Sequence, residues 1–116
     1  MTKPKKIILR FRIVDRDSFD EIRDGLKTVE TRAASIRYRD IKKGDIIIIV
    51  CGKQRITKQV KRARHFKTIE IMLKTIPLKK IMPSVKSIIE VRKVYYSYPS
   101  YKDKIKKFGL VALELK

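Results

Sequence analysis

The chain has 116 residues, 43% of them hydrophobic, enough for one modest core and too few for two. Its 31 Lys and Arg against 12 Asp and Glu leave a net charge of +19. Such a field repels itself unless a polyanion covers it, and nucleic acid is the usual polyanion. No stretch approaches the roughly 20 apolar residues of a membrane span, and a single cysteine, Cys51, excludes an internal disulfide and points to a reducing compartment.

The start, Met1-Thr2-Lys3-Pro4-Lys5-Lys6, is basic but leads into a strand and not into an apolar signal-peptide core, so a cytoplasmic protein is expected. Residues 6–14 alternate, with Ile7, Leu9, Phe11 and Ile13 on one side and Arg10 and Arg12 on the other, the pattern of a half-buried strand. Ser18-Phe19-Asp20-Glu21 reads as a capping box opening a short helix that buries Phe19 and Ile22, and Gly25 supplies its left-handed end. An extended segment runs on to about residue 33. Gly44-Asp45 is a turn before a buried strand, 46–51, which Cys51 closes as a packed thiol. Gly52-Lys53 turns into a second long strand, 54–64. Thr68 caps a helix through Ile69, Met72 and Leu73 that stops before Pro77. Pro83 and the box Ser87-Ile88-Ile89-Glu90 open a third helix, which Pro99 ends, and Gly109 starts a closing strand with Val111, Leu113 and Leu115 on one face. Several strands, about three short helices and no βαβ rhythm predict an α+β fold built round a small mixed or barrel-like sheet, a single domain over residues 1–116.

Charge is uneven. Residues 1–50 carry 13 basic and 8 acidic side chains, and residues 51–116 carry 18 and 4. No linker separates the halves, so the asymmetry marks a face and not a second domain. A Lys-rich surface also suits a thermophile without any partner, and 18 Ile, no Asn and two Gln are the usage of one.

Gly25-Leu26-Lys27-Thr28-Val29-Glu30-Thr31-Arg32 places lysine, carboxylate and arginine close together, a set that binds an anion, moves a proton or neutralises itself. A lysine acting as base needs its pKa brought from about 10.4 to near 7, roughly 4 kcal/mol of burial or cationic neighbours. Glu30 pushes the other way. Strand alternation sets Glu30 and Arg32 on one face and Lys27 opposite, so Glu30–Arg32 forms the working pair and Lys27 meets a phosphate or base, forms a plain surface salt bridge or acts as a base. Glu30 either accepts from a ligand amino group, as carboxylates do from cytosine N4, or orients Arg32.

From Lys53 to Lys67 the chain holds Lys53, Arg55, Lys58, Lys61, Arg62, Arg64 and Lys67 with no acidic residue, seven charges in 15 positions. A phosphate backbone laid across them relieves their repulsion without reading sequence; the plainer alternative is a solvated edge strand whose lysines block aggregation. Tyr38, between Arg37 and Arg39, is a candidate for base stacking. Tyr95, Tyr96, Tyr98 and Tyr101 could also stack bases, although helical spacing sets Tyr95 and Tyr98 toward a core. His65 has no partner at ligand spacing and reads as a strand-end packing residue, so neither a metal nor a cofactor is expected.

With these elements in order, the sequence resembles the ASCH domains, small relatives of the PUA-like RNA-binding barrels. The family motif G-x-K-x-x-E-x-R is met at Gly25, Lys27, Glu30 and Arg32. Further blocks match at Tyr38-Arg39-Asp40-Ile41-Lys42-Lys43-Gly44-Asp45, at Phe66-Lys67-Thr68-Ile69-Glu70-Ile71-Met72-Leu73, at Tyr98-Pro99 and at Phe108-Gly109-Leu110-Val111-Ala112-Leu113. The resemblance covers about residues 7–115. It implies a PUA-like β-barrel with a cleft beside the motif and a role in binding or processing RNA. In one ASCH-like branch, N4-acetylcytidine amidohydrolases, the motif reads G-x-K-T-x-T-x-R with its Lys and second Thr catalytic; Lys27, Thr28 and Arg32 match, and Glu30 replaces that Thr.

Three functional classes follow. In the first, an RNA-binding module seats a nucleotide or single-stranded RNA beside Gly25, Lys27, Thr28, Glu30 and Arg32, helped by Arg37, Tyr38 and Arg39, and tracks backbone with Lys53, Arg55, Lys58, Lys61, Arg62 and Arg64. In the second, a nucleoside amidohydrolase or metal-independent ribonuclease uses Lys27 and Glu30. In the third, the chain is a basic subunit of a ribonucleoprotein with no site of its own.

Overall fold

The first alternating run forms strand β1 (Lys6–Phe11) and lies parallel to β3 (Ile46–Cys51), Lys6 opposite Ile46 and Phe11 opposite Cys51. This computed structural model describes residues 3–116; Met1 and Thr2, the start of the basic segment read above as no signal peptide, lie outside the described residues. Strand β4 (Gln54–Phe66) is 13 residues long and is shared between two pairings: its first half runs antiparallel to β3 and its second half antiparallel to β5 (Leu110–Leu115). Strand β2 (Val29–Ala33) completes the sheet against β5, giving the order β1-β3-β4-β5-β2. A register irregularity between Val60 and Arg62 bends β4. Before it Ile56 and Val60 face the inner core, and after it Ala63 does, so the strand changes pairing without losing its apolar side.

The bend curls the sheet into a half-barrel whose two edges, β1 and β2, approach but do not pair. Arg32 on β2 spans the seam, donating from Nη2 to the Arg10 carbonyl on β1 at 3.3 Å. One core fills the curl, with Leu9, Ile47, Ile49, Val111 and Leu113 closed over by Phe19 and Ile22 of helix α1 (Arg16–Arg23). The second lies between the outer face of β2 and β5 and four helices, α2 (Ile69–Thr75), α3 (Leu78–Ile81), α4 (Ile88–Ser97) and α5 (Tyr101–Phe108); it holds Val29, Met72, Ile81, Val91, Tyr95 and Leu110. Strand β5 is apolar on both faces because it borders both cores: Val111 and Leu113 point one way, Leu110 and Ala112 the other. No helix among the described residues is long and apolar enough to cross a membrane.

The caps at Thr68 and Ser87 form as expected, each hydroxyl accepting from an amide three residues on, Ile71 N at 3.1 Å and Glu90 N at 3.3 Å. Gly25, at φ +81°, ends α1 in a Schellman turn: its amide donates to Ile22 O and that of Leu26 to Glu21 O. The start of α1 differs. The first strand stops at Phe11, Ile13 is 61% exposed, and a 3₁₀ turn over Ile13–Asp15 feeds the helix. Turn carbonyls accept from the leading amides, Asp15 N to Arg12 O and Arg16 N to Ile13 O, so no side chain is needed as a cap and Ser18 sits inside the helix. Helices α3 and α5 add to the three expected. α3 has only four residues behind Pro77. α5 carries a readable signal in Tyr101, Ile105 and Phe108 at four- and three-residue spacing, diluted by four lysines.

Gly109 joins α5 to β5 at φ +73°, its amide donating to Ile105 O and its carbonyl accepting from Ala34 N. A Cβ there stands 2.5 Å from the Phe66 carbonyl oxygen, whereas one at Gly44, φ +93°, meets nothing within 4 Å. Gly109→Ala is therefore expected to cost at least about 2 kcal/mol in denaturant unfolding and Gly44→Ala about 1 kcal/mol; equal losses rule out the close β4–β5 approach as the reason for a glycine at 109.

Candidate functional site

Where β1 and β2 fail to pair, a cleft of about 460 Å³ opens between the half-barrel and the helical layer. Lys27, Glu30, Thr31 and Tyr95 are buried at its base, none more than 6% exposed. Phe11 and Tyr38 contribute from the barrel side, Tyr98 and Tyr101 from the helical side, and Arg12, Asp15, Ser84 and Lys104 stand at the rim.

Lys27 does not face away from the other two motif residues. Strand alternation fails as a guide because β2 begins only at Val29. Lys27 lies in the turn out of α1, its amide donating to Glu21 O at 3.0 Å. From there the side chain reaches into the cleft: Nζ lies 3.4 Å from Glu30 Oε1 and donates to the Ile81 carbonyl at the end of α3. Glu30 Oε1 also accepts from the Thr31 amide at 3.1 Å, and Oε2 lies 3.1 Å from Arg32 Nη2 and 3.2 Å from Nε. A carboxylate has about four lone-pair sites, and Lys27, Thr31 and Arg32 take them all. Of its two readings, Glu30 as the residue that orients Arg32 fits this geometry. Arg32 is in turn clasped by rings, its guanidinium 5.2 Å from the Phe11 centroid and 5.6 Å from that of Tyr38.

Burial lowers the Lys27 pKa, and the attraction of Glu30 only partly opposes it. For Arg32 burial works against the cation, but Glu30, with smaller help from Tyr101 and Tyr38, holds its pKa above the ordinary value. Tyr98 is pushed up to about 12, first by burial and then by the Glu30 charge, and Tyr95 and Tyr101 are raised chiefly by burial. At neutral pH the cleft thus presents phenol hydroxyls and not phenolates. Two are already engaged: Tyr95 OH with Thr31 Oγ1, and Tyr101 OH accepting from the Ala33 amide at 3.2 Å.

Other residues singled out in the sequence lie elsewhere. Gly25 is exposed and shapes the turn that delivers Lys27 without lining the cleft. Thr28 is absent from the cleft and lines a separate, smaller hollow with Lys61, Lys80 and Glu114. Tyr38 lines the cleft; Arg37 stacks on it at 5.6 Å without reaching the cavity, and Arg39 lies 3.9 Å from Asp40. Lys53, Arg55, Lys58, Lys61, Arg62 and Arg64 line no part of the cleft, since β4 is central in the sheet and the cleft is at its seam. The segment also lacks an acidic neighbour only in sequence: β5 brings Glu114 against it, 2.5 Å from Arg62 and 3.3 Å from Arg64. His65 is exposed and not packed.

Sequence reasoning missed Arg10, Arg12 and Lys104 as cleft residues, and it offered Tyr98 and Tyr101 as stacking rings without placing them beside the motif. The tyrosine cluster was visible, but helical spacing assigns Tyr95 and Tyr98 to a core. Both readings hold at once for Tyr95, whose ring packs in the second core while its hydroxyl reaches the cleft.

The ASCH domain family matches residues 13–116. The fold is similar to the crystal structure of a hypothetical protein, PH0355, with a TM-score of 0.83, 32% identity and coverage of 96% of this chain and 97% of that one. It is also similar to the NMR solution structure of protein PF0455 from Pyrococcus furiosus, with a TM-score of 0.74, 30% identity and 96% coverage of both chains. No curated protein matches. On the family match over most of its length and these two full-length structural relatives, the chain belongs to the ASCH domain family, a PUA-like family generally regarded as RNA-binding.

Proposed function

We propose that the chain acts as one ASCH unit that binds single-stranded RNA, seating one unstacked nucleotide in the cleft while surface lysines and arginines hold the backbone. The observation that carries this reading is the wall chemistry of the cleft. At about 460 Å³ it falls in the range of small-molecule sites, and half-buried Phe11, Tyr38 and Tyr98 offer the rings on which an extruded base stacks. Lys27, Glu30 and Arg32 support that cleft from below; Lys27 and Arg32 leave it cationic at its base.

Stacking on one ring contributes about 1–3 kcal/mol per base. Tyr98→Ala and Tyr38→Ala should each weaken binding of a short single-stranded RNA by about fivefold to a hundredfold in fluorescence anisotropy, while Tyr96→Ala, on the far face of α4, leaves it unchanged. Equal effects of all three variants remove the cleft from the binding site.

The backbone contribution is read by salt. Of the seven basic residues from Lys53 to Lys67, Arg62 and Arg64 are ion-paired with Glu114 and five make no ion pair among the described residues. At about 0.7 per phosphate on single strands, five contacts give a log–log slope of affinity against salt near −3.5. A flat response excludes backbone tracking by β4.

One observation supports a second reading, an amidohydrolase or ribonuclease in which Lys27 and Glu30 exchange protons: Lys27 is a buried amine beside a cavity, with its pKa lowered. Against it, Nζ is engaged with Ile81 O and Glu30. The ionisation is measurable through stability. A depressed lysine pKa means that the unfolded chain binds the proton more tightly. Lys27 therefore contributes stability above the unfolded value near 10.5, and that contribution is lost as pH falls through the lower folded value. The unfolding free energy of the parent, relative to Lys27→Met, should rise between pH 7 and pH 10; the tyrosines are common to both proteins and cancel. A constant difference shows Lys27 to be an ordinary ammonium and removes the enzymatic reading, as does unchanged cleavage of acetylcytidine or labelled RNA by Lys27→Ala.

A further inference from the structure

Strand β3 poses a problem that the cleft does not solve. Its run Ile46-Ile47-Ile48-Ile49-Val50-Cys51 is apolar at every position, the pattern of a strand covered on both faces. Only one face is covered. Ile47, Ile49 and Cys51 are fully buried in the inner core, while Ile46, Ile48 and Val50 point out of the half-barrel, only half-buried and in neither core. The pairing register puts Ile8 of β1 beside Ile48, and Ile8 is 37% exposed. The outer face of β1, β3 and β4 is thus an apolar centre of four β-branched side chains that belongs to neither core and that no helix among the described residues packs into one.

Its border has one sign. Arg10, Val50 and Arg55 form one row across the three strands, Ile8, Ile48 and Thr57 the next, and Lys6, Ile46 and Gln59 the third. Arg10, Arg55 and Lys6 are exposed, and the nine positions include no acidic residue. Three strands about 4.8 Å apart and three rows about 6.7 Å apart make a platform of roughly 10 by 13 Å, the footprint of two to three turns of one helix about 10 Å across. A second copy of the chain is a poor occupant, because a twofold contact sets the same cations against each other. Nucleic acid is a poor one too, since aliphatic side chains offer its bases no ring to stack on.

We infer that this face is a docking site for a partner protein, which lays on it an amphipathic helix whose apolar stripe covers Ile8, Ile46, Ile48 and Val50 and whose flanking Glu or Asp residues meet Lys6, Arg10 and Arg55. The helix supplies the second layer that β3 is patterned for, and the acidic flanks choose the partner. The site is separate from the cleft except at Arg10, which borders both.

The probe is a designed helical peptide of about 18 residues, long enough to form a helix, with Leu at i, i+3, i+4 and i+7 and Glu on both flanks. Controls are the same peptide with Lys flanks and one with the Leu positions scrambled. With isotope-labelled full-length protein, the Glu-flanked peptide is expected to shift the methyl resonances of Ile8, Ile46, Ile48 and Val50 and to bind at least about tenfold more tightly than either control. Ile46→Thr with Ile48→Thr keeps β-branched residues in the strand; its fold is checked by circular dichroism, and it should lose at least about tenfold in affinity. Lys6→Glu with Arg55→Glu should reverse the preference toward Lys flanks. Arg55 also belongs to the strand proposed to track RNA backbone, so a shift at Val50 alone with oligouridylate is expected. Unmoved methyl groups at the four positions with the peptide, equal binding of the two charged peptides, or larger shifts at Ile8, Ile46 and Ile48 with oligouridylate or on self-association than with the peptide overturn the inference.

Discussion

Arg32 is the side chain on which fold and site both rest. One guanidinium pairs with Glu30, donates across the seam to the Arg10 carbonyl and lies against the rings of Phe11 and Tyr38. It does for β1 and β2 what a backbone ladder does for the other strand pairs, yet it joins them at one point and leaves the space beside it open. A lysine could not take its place: a planar fork reaches a carboxylate and a carbonyl at once while stacking on rings, and an ammonium does not. Holding such a cation at the base of a cleft is costly unless its charge is met, and Glu30 meets it. Glu30 in turn has a second cation in Lys27, so the motif is one charge network whose members fix each other's position.

The bend in β4 produces that seam. A strand that pairs with β3 along one half and β5 along the other turns the sheet on itself, and the irregularity at Val60–Arg62 keeps its apolar residues inward on both sides of the turn. The same bend keeps β4 off the cleft, so the densest basic segment in the sequence lines none of it, although its Lys61 shares a separate hollow with Thr28 and Val29. The loop from Gly25 matters as much. Its left-handed residue turns the chain out of α1 so that Lys27 enters the cleft and Thr28 leaves it.

Local signals in the sequence reported local structure well. The first part of the alternation over residues 6–14, the hydroxyl caps at Thr68 and Ser87, the left-handed Gly25 and the turns at Gly44 and Gly52 are set by neighbours a few residues away, and each appears where the sequence puts it. What was not legible depended on distant pairings. Glu114 neutralises part of the basic strand only because β5 lies beside β4. Lys27 joins Glu30 because Ile81, 54 residues on, offers a carbonyl to its ammonium. The family motif was legible as a pattern, while the roles within it were not: side-chain alternation holds only from Val29, where β2 begins, two residues beyond Lys27.

The placement of acidic residues separates two kinds of recognition. Of the 12 Asp and Glu in the chain, four line the cleft, Asp15, Asp17, Glu21 and Glu30, against five cationic side chains, Arg10, Arg12, Lys27, Arg32 and Lys104. A chain of net charge +19 therefore has a cleft close to electrical balance. A balanced cleft adds little long-range attraction, so on the proposed reading a nucleotide there is selected by ring contacts, shape and the few hydroxyls not already engaged. The rest of the surface keeps an excess of unpaired lysine and arginine that attracts any polyanion without regard to sequence. On the proposed RNA reading, general attraction is thus spread over the outside, and discrimination among nucleotides falls to the gap that Arg32 bridges without closing.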